Sequence, residues 1–325
     1  MQERTGTIFE TLFEEEVHQG LTDFPKHLSS KYFYDARGDK LFQDIMNLPE
    51  YYLTNSEFEI LDNYKDKIAQ WFSSGKGKFS LIELGAGDGK KTKILLKHLV
   101  SENVSFTYKP IDISQNALDQ LEKSLHEELP DLHIEPRQGT YFETLADIHS
   151  DNGARKVILF LGSNIGNLLH PQAVDFLKSI QDLMNGDDLF FVGFDQKKNP
   201  QTVLDAYNDK TGITEAFNKN ILARINRELK ADFDLEKFLH WEVYDPETGT
   251  AKSYLVSKEQ QSVCIEKLDL KVDFRPWETI HTEISQKYDD EVVQWLAKKA
   301  GLQIVTQFSD QGNLYKDYLF KKELS

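Results

Sequence analysis

Residues 79–96 read FSLIELGAGDGKKTKILL. An apolar run ends in glycines at 85, 87 and 89, passes through Lys90, Lys91 and Thr92, and continues with apolar residues at helical spacing. That is a buried strand, a tight turn and a helix, the repeating unit of an open α/β sheet. The same strand signature returns in SFTYKPID (105–112), KVILFLG (156–162) and DLFFVGFD (188–195). Each run is apolar without alternation, as in strands covered by helices on both faces. Helical patterns separate them: KKTKILLKHLVSE, then SQNALDQLEKSLHEEL. In the second, Ser114 stands where an N-cap belongs and apolar residues recur at 117, 118, 121 and 125.

The spacing of the turn limits its ligand. A phosphate-binding loop needs glycine where this chain has Leu84, and Ser or Thr where it has Lys91. A dinucleotide fingerprint needs its third glycine one residue beyond Gly89. Asp88, inside the turn, would repel a pyrophosphate. A plain strand-to-helix connection and a cradle for a phosphate-free nucleoside both remain. Asp112 closes the next strand, where a carboxylate can accept both hydroxyls of a ribose at about 1.5–3 kcal/mol per bond. An E-x-G-x-G turn followed by an acid at the end of strand two resembles the class I methyltransferases that use S-adenosylmethionine. By that resemblance Gly85, Gly87, Lys91 and Asp112 hold the cofactor, and Thr140 and Tyr141 flank its adenine. Many such enzymes carry an acid where this chain has Thr140.

The chain has 325 residues and a net charge of −16, which argues against a general nucleic-acid binder. Its one cysteine, Cys264, excludes an internal disulfide and a multi-cysteine metal site, and reads as a small packed residue. The N-terminus is acidic and lacks the apolar core of a secretory signal. The longest apolar runs, VILFL and LFFVGF, are too short for a bilayer. The expectation is a cytoplasmic monomer acting on a small molecule, with no nucleic-acid, membrane or metal partner.

The parallel pattern breaks near Asp195. A long helical segment, TGITEAFNKNILARINRELKADF, is followed by alternating runs LHWEVYD, KSYLVS, QSVCIEKLDLKVDF and ETIHTEIS. A helix, DDEVVQWLAKKAG, and a hairpin around DQGN complete the chain. The expected class is α/β, a Rossmann-like methyltransferase sheet over 55–195 plus 287–325. A second, α+β substrate domain is expected from 1–54 plus 196–286.

Aromatic clusters precede the sheet in SSKYFYDARGDKLFQDI and NLPEYYLTNSE. Tyr34, Phe42, Tyr51 and Tyr52 sit among Asp, Arg, Gly and Pro in loop-like context, where rings suit a cationic group. LGSNIGNLLHP follows the fourth strand at the ligand-binding edge, with Asn164 and Asn167 as donors and acceptors. Together, KYFYDARGDKLFQDI, LPEYY, ELGAGDGKKT, LGSNIGN, AFNKNILARINRELKADFD and TEIS strongly resemble the histidine Nα-methyltransferases of ergothioneine biosynthesis, in order and spacing along essentially the whole chain. The resemblance implies free L-histidine as substrate and its trimethylated betaine, hercynine, as product. It places Tyr51, Asn167 and Tyr207 in the histidine site, with Glu283 and Ser285 reading the imidazole. Tyr34, Phe42 and the backbone of Gly162 would line the amine pocket, and Tyr34, Gly162 and Asn167 would serve the reacting nitrogen. Residues two apart on a strand share a face, which allows Glu283 and Ser285 to act together. NRELKADF reads as the end of an amphipathic helix with Asn and Arg solvated.

The expected chemistry is direct in-line displacement. The protein aligns nitrogen, methyl carbon and sulfur at about 3–3.5 Å, with a neutral amine and no general base. Ser253 stands where some relatives carry a larger apolar side chain, which would suit a bulkier substrate such as tryptophan. A nicotinamide-dependent oxidoreductase and a silent binding module are the competing classes. The early third glycine and Asp88 oppose the first, and the complete set of cofactor and substrate residues opposes the second.

Overall fold

The computed structural model describes residues 9–75, 77–140, 144 and 154–323. The chain divides into two compact units, Met1–Tyr51 with Asn199–Ile284, and Tyr52–Lys198 with Ser285–Ser325.

The second of these carries a seven-stranded sheet. Strands β1 (Phe79–Leu84), β2 (Phe106–Asp112), β3 (Arg137–Gln138), β4 (Arg155–Phe160) and β5 (Leu189–Asp195) are parallel. Its order is β11-β12-β5-β4-β1-β2-β3, with β12 (Tyr315–Lys322) antiparallel to both β5 and β11 (Leu302–Ser309). Every residue of β1 and of β5 is buried, which is why neither run alternates in sequence. The strand order reverses at β1 and β4, so the loops leaving their carboxyl ends diverge and open the ligand position of this sheet type. Those loops are Gly85–Gly89 and Gly162–Asn167. The helix Gln115–Glu128 starts as its sequence requires: Ser114 Oγ accepts the Ala117 N–H at 3.2 Å.

The other unit joins N-terminal helices to two small sheets. Strands β6 (Phe238–Asp245) and β7 (Thr250–Ser257) are antiparallel, and the sheet order is β10-β7-β6, with β10 spanning Thr279–Gln286. QSVCIEKLDLKVDF is a hairpin instead of one strand: β8 (Gln261–Ile265) and β9 (Leu270–Phe274) pair across a turn at Glu266–Leu268. Asp269, at φ 46°, completes the reversal. Cys264 is exposed, contrary to its reading as packed, because its neighbours Val263 and Ile265 take the inner face.

Phe42 also departs from its loop-like reading. It lies on the helix Ala36–Met46, whose N-cap is Asp35, accepting the Gly38 N–H at 2.8 Å. The other Asp35 bonds come from the helix Ile213–Leu229: Asn220 Nδ2 at 2.9 Å and Arg227 Nη2 at 2.6 Å. Gly38 is required here, since a Cβ would stand 1.7 Å from the Phe33 carbonyl oxygen. Asn226 of NRELKADF is likewise engaged, while Arg227 is half-exposed and still makes bonds. Asn226 donates to the Phe233 carbonyl at 2.7 Å and accepts the Phe233 N–H at 2.8 Å, and Arg227 reaches Asp35.

Candidate active site

The glycine turn is held from the neighbouring strand. Gly85 and Ala86 donate to the Ile111 carbonyl at 2.8 and 3.1 Å. One Asp112 carboxylate oxygen accepts the Gly87 N–H at 2.8 Å and the other accepts the Ser114 N–H at 2.9 Å. Asp112 therefore ties together the loops after β1 and β2. Gly139 donates to the Asp112 carbonyl at 3.0 Å, which sets Thr140 beside the same strand end. Tyr141 lies outside the described residues. Below the turn, fully buried Glu83 accepts the hydroxyls of Thr92 and Tyr108, and burial pushes its carboxyl up to about 7.

Lys91 pairs with Glu57, whose side chain is wholly buried. Glu57 also receives the Gly162 N–H at 2.9 Å on each oxygen and the Tyr315 hydroxyl at 2.9 Å. Sequence reasoning gave Glu57 no role, yet it joins Lys91 of the first loop to Gly162 of the second. Space for it comes from Gly193, where a Cβ would stand 2.3 Å from both Glu57 Oε1 and the Tyr315 hydroxyl. Asp317, in register with Gly193, is fully buried beside Glu57, and that burial together with the Glu57 charge raises its carboxyl well above the usual range. Asn167 is exposed on the short turn after β4.

A second buried cluster closes β5. Asp195 accepts Tyr52 Oη at 2.9 and 3.0 Å, Lys287 Nζ at 2.7 Å, and Lys198. Lys287 donates also to Ser285 Oγ at 2.7 Å. Burial lowers Lys198 to about 8.

In the other unit the predicted rings meet. Tyr34 lies edge-on to Phe42 at 5.6 Å between centroids, Phe42 to Tyr51 at 6.3 Å, and Tyr51 to Tyr207 at 6.1 Å. Phe217 joins them, 5.6 Å from Tyr34 and 5.8 Å from Phe42. It stands in the quoted AFNKNIL segment, but a phenylalanine on a long helix carries no mark of the ring it touches. Glu283 is half-buried on β10. Ser253 is 2 % exposed and donates to Glu242 at 2.6 Å, so its hydroxyl is matched to a buried carboxylate.

A family described as histidine-specific, S-adenosylmethionine-dependent methyltransferases matches residues 13–322. The chain belongs to this family. It is 35% identical over 295 residues to a histidine N-alpha-methyltransferase of Mycolicibacterium smegmatis, covering 91% of this chain and 90% of that one. It is 32% identical to ergothioneine biosynthesis protein 1 of Schizosaccharomyces pombe, covering 99% of this chain and 42% of that one. An L-tryptophan methyltransferase of Psilocybe serbica is 29% identical over 314 residues, covering 88% and 86%. As a member of the histidine-specific methyltransferases, the protein uses S-adenosylmethionine, and the turn fits that group. Gly87 has φ 54° with no atom within 4 Å of a Cβ position, leaving its backbone open to close approach. Asp112 sets a carboxylate beside the turn, and Asp88 within it is paired with Lys90 at 3.1 Å. Among the described residues no helix is long and apolar enough to cross a membrane.

Proposed function

We propose that this protein methylates the α-nitrogen of free L-histidine three times, with S-adenosylmethionine as donor, to give hercynine for ergothioneine biosynthesis. One observation carries the reading: the histidine-specific family match runs from residue 13 to 322, through the ring cluster, the glycine turn and the Glu283–Ser285 pair. The Mycolicibacterium relative, named a histidine N-alpha-methyltransferase, supports the substrate and the site of methylation.

S-adenosylmethionine supplies an electrophilic methyl group. We assign its nucleoside to Gly85, Gly87, Asp112, Thr140 and Tyr141, in the unit Tyr52–Lys198 with Ser285–Ser325, and its charged end to the neighbourhood of Lys91. Tyr34, Phe42, Tyr51 and Tyr207 form the edge-to-face ring series that suits an amine gaining bulk and cationic character with each methylation. Tyr34 in one unit and the Gly162 carbonyl in the other are each assigned to the reacting nitrogen, and Glu57 holds the Leu161–Gly162 peptide by accepting the Gly162 N–H. Asn167 binds the amino-acid backbone of the substrate. Glu283 and Ser285 read the ring. Orientation and desolvation of a neutral amine carry the rate, and no side chain is assigned as a general base. We infer also that the protein works in the cytoplasm as a monomer and without nucleic acid, which its charge of −16 and single exposed cysteine support.

The second reading, methylation of tryptophan, draws on the Psilocybe relative. A carboxylate and a hydroxyl two residues apart suit a ring with two nitrogens better than an indole with one N–H. Mass spectrometry of the purified protein with S-adenosylmethionine and a panel of amino acids tests both. Three successive methyl additions to histidine are expected. Methylation of tryptophan with histidine untouched would overturn the first reading.

A further inference from the structure

We propose that Asp317 is a positioning residue that works as a neutral carboxylic acid: its O–H donates to Glu57 and fixes the carboxylate that Lys91 and the Gly162 peptide share. The turns after β1 and β4 are then held through that one proton. This rests on the assignment of S-adenosylmethionine to the first of these turns and to the neighbourhood of Lys91. Every residue involved belongs to the sheet unit.

Asp317 and Tyr315 stand two apart on β12 and so share a face. The Tyr315 hydroxyl reaches Glu57 at 2.9 Å, which turns that face toward Glu57. Across the strands Asp317 is in register with Gly193, where a Cβ would stand 2.3 Å from Glu57 Oε1. Paired positions on neighbouring strands lie side by side, about 5 Å apart, so Asp317 flanks Glu57 as well. Both side chains are wholly buried. Glu57 takes the Gly162 N–H, the Tyr315 hydroxyl and Lys91, but neither Asp317 oxygen has a hydrogen-bond partner among the described residues. Were both acids ionised, two buried carboxylates would face one ammonium, whose field also reaches Glu83. The next lysines, Lys198 and Lys287, are taken by Asp195. Tyr315 stays neutral, since burial raises its hydroxyl well above the ordinary tyrosine value. A second negative charge here has nothing to balance it, and a buried charge without a partner gives way to its neutral form. Protonated, Asp317 changes from two unmet acceptors into a donor, with Glu57 as the acceptor beside it. Burial and the Glu57 charge both favour that proton.

Thermal melts of the full chain against pH read the proton. An acid that is protonated when folded and ionised when unfolded costs stability as pH rises above about 4. Asp317→Asn keeps a donor and has nothing to titrate, so above neutral pH it should melt several degrees higher than wild type, the gap closing toward about pH 4. An Asn variant that melts lower than wild type, as an ionised Asp317 paired with Lys91 would give, overturns the inference. Infrared spectra with isotope-labelled aspartate should show a protonated carboxyl at neutral pH that Asp317→Asn removes, and its absence overturns the inference too. Calorimetry with S-adenosylmethionine reads the positioning. Asp317→Leu, matched in shape but without a donor, should weaken binding about tenfold, the size of one lost hydrogen bond to a charged group. Asp317→Asn should keep most of the affinity that the Leu variant loses. If Asp317→Leu binds as wild type while Glu57→Gln does not, Asp317 positions nothing and the inference fails. If both bind as wild type, the assignment of the cofactor to these turns fails instead. Should the Leu variant not fold, Asp317→Ala removes the same donor with less bulk and is read in the same way.

Discussion

Replacing Asp35 by alanine tests how the N-terminal segment is built and what it serves. Three bonds end on this carboxylate: the Gly38 N–H at 2.8 Å, Asn220 at 2.9 Å and Arg227 at 2.6 Å. Loss of the helix cap costs about 1 kcal/mol. Asn220 is 1 % exposed, so leaving its amide one bond short costs about 1–2 kcal/mol more. Arg227 is half-exposed and adds less than about 1 kcal/mol. The total is on the order of 3 kcal/mol, or roughly a 10 °C fall in melting temperature for a body of this size. Asparagine at the same position keeps an oxygen for Gly38 and Asn220 but turns an amide NH2, a donor, toward half-exposed Arg227 in place of the accepting oxygen, so it should cost about 0.5–1 kcal/mol. Burial acts to raise the Asp35 carboxyl, but the Gly38, Asn220 and Arg227 bonds outweigh it and hold it below its ordinary value. Its contribution is therefore present above the usual carboxylate range and fades as pH falls through the lowered value. Tyr34 adjoins Asp35, and Phe42 rides on the helix it caps, so Asp35→Ala should raise the histidine KM while leaving cofactor affinity within about twofold. Thermal melts, calorimetry with S-adenosylmethionine and steady-state kinetics measure the three effects. Equal losses for the Ala and Asn variants, or a loss below about 1 kcal/mol for Ala, would refute the reasoning.

Asp112→Ala removes the anchors of Gly87 and Ser114 together with the ribose acceptor, and should weaken S-adenosylmethionine binding at least about tenfold by calorimetry; wild-type affinity would take Asp112 out of the cofactor site. Gly193→Ala drives a methyl group into Glu57 and Tyr315, and should cost about 1–3 kcal/mol in a denaturant melt, with an unchanged midpoint counting against the packing described. Glu283→Ala should abolish histidine turnover with cofactor binding intact, and unaltered kinetics would remove it from the ring site. Burial holds His240 down at about 4, and neither of its ring nitrogens has a hydrogen-bond partner among the described residues. The unfolded chain takes up this proton below about 6.5 and the folded one only near 4, so His240 costs stability as pH falls through that window, by up to about 3 kcal/mol. Glu83, raised to about 7, works in the opposite direction, losing stability as pH rises from about 4.5. The His240→Leu variant should diverge from wild type only on the acid side in melts taken between pH 4 and 7, and parallel curves would refute the assignment.

The sheet was legible because its signals are local. Runs without alternation marked strands buried on both faces, and Ser114 with its apolar spacing fixed a helix start to the residue. The β8–β9 hairpin was missed although a signal existed: inward residues are odd-numbered at Val263 and Ile265 and even-numbered at Val272 and Phe274, a change of phase that one continuous strand does not permit. The site divides the same way. Asp112 and the glycines lie within one turn-and-strand unit and could be read together. Glu57 meets Gly162 and Tyr315 across 105 and 258 residues of chain, and Tyr52 meets Asp195 across 143, so no spacing rule reaches them. A glutamate inside a long amphipathic helix looks solvated until the fold supplies its partners.

The close of β5 bears on how this chain is divided. The sheet unit is left at Lys198 and re-entered at Ser285, and just inside those points Gln196 and Tyr288 form a parallel bridge while Lys197 donates to the Tyr288 carbonyl at 2.6 Å. Departure and return are thus neighbours, stapled by backbone bonds and by the Asp195 carboxylate that Lys198 and Lys287 share. Residues 199–284 leave and rejoin the sheet unit at one place, yet they fold as one unit with residues 1–51, tied to them by the Asn220 and Arg227 bonds to Asp35. A graft that exchanges this segment has to carry residues 1–51 with it as well as preserve the link.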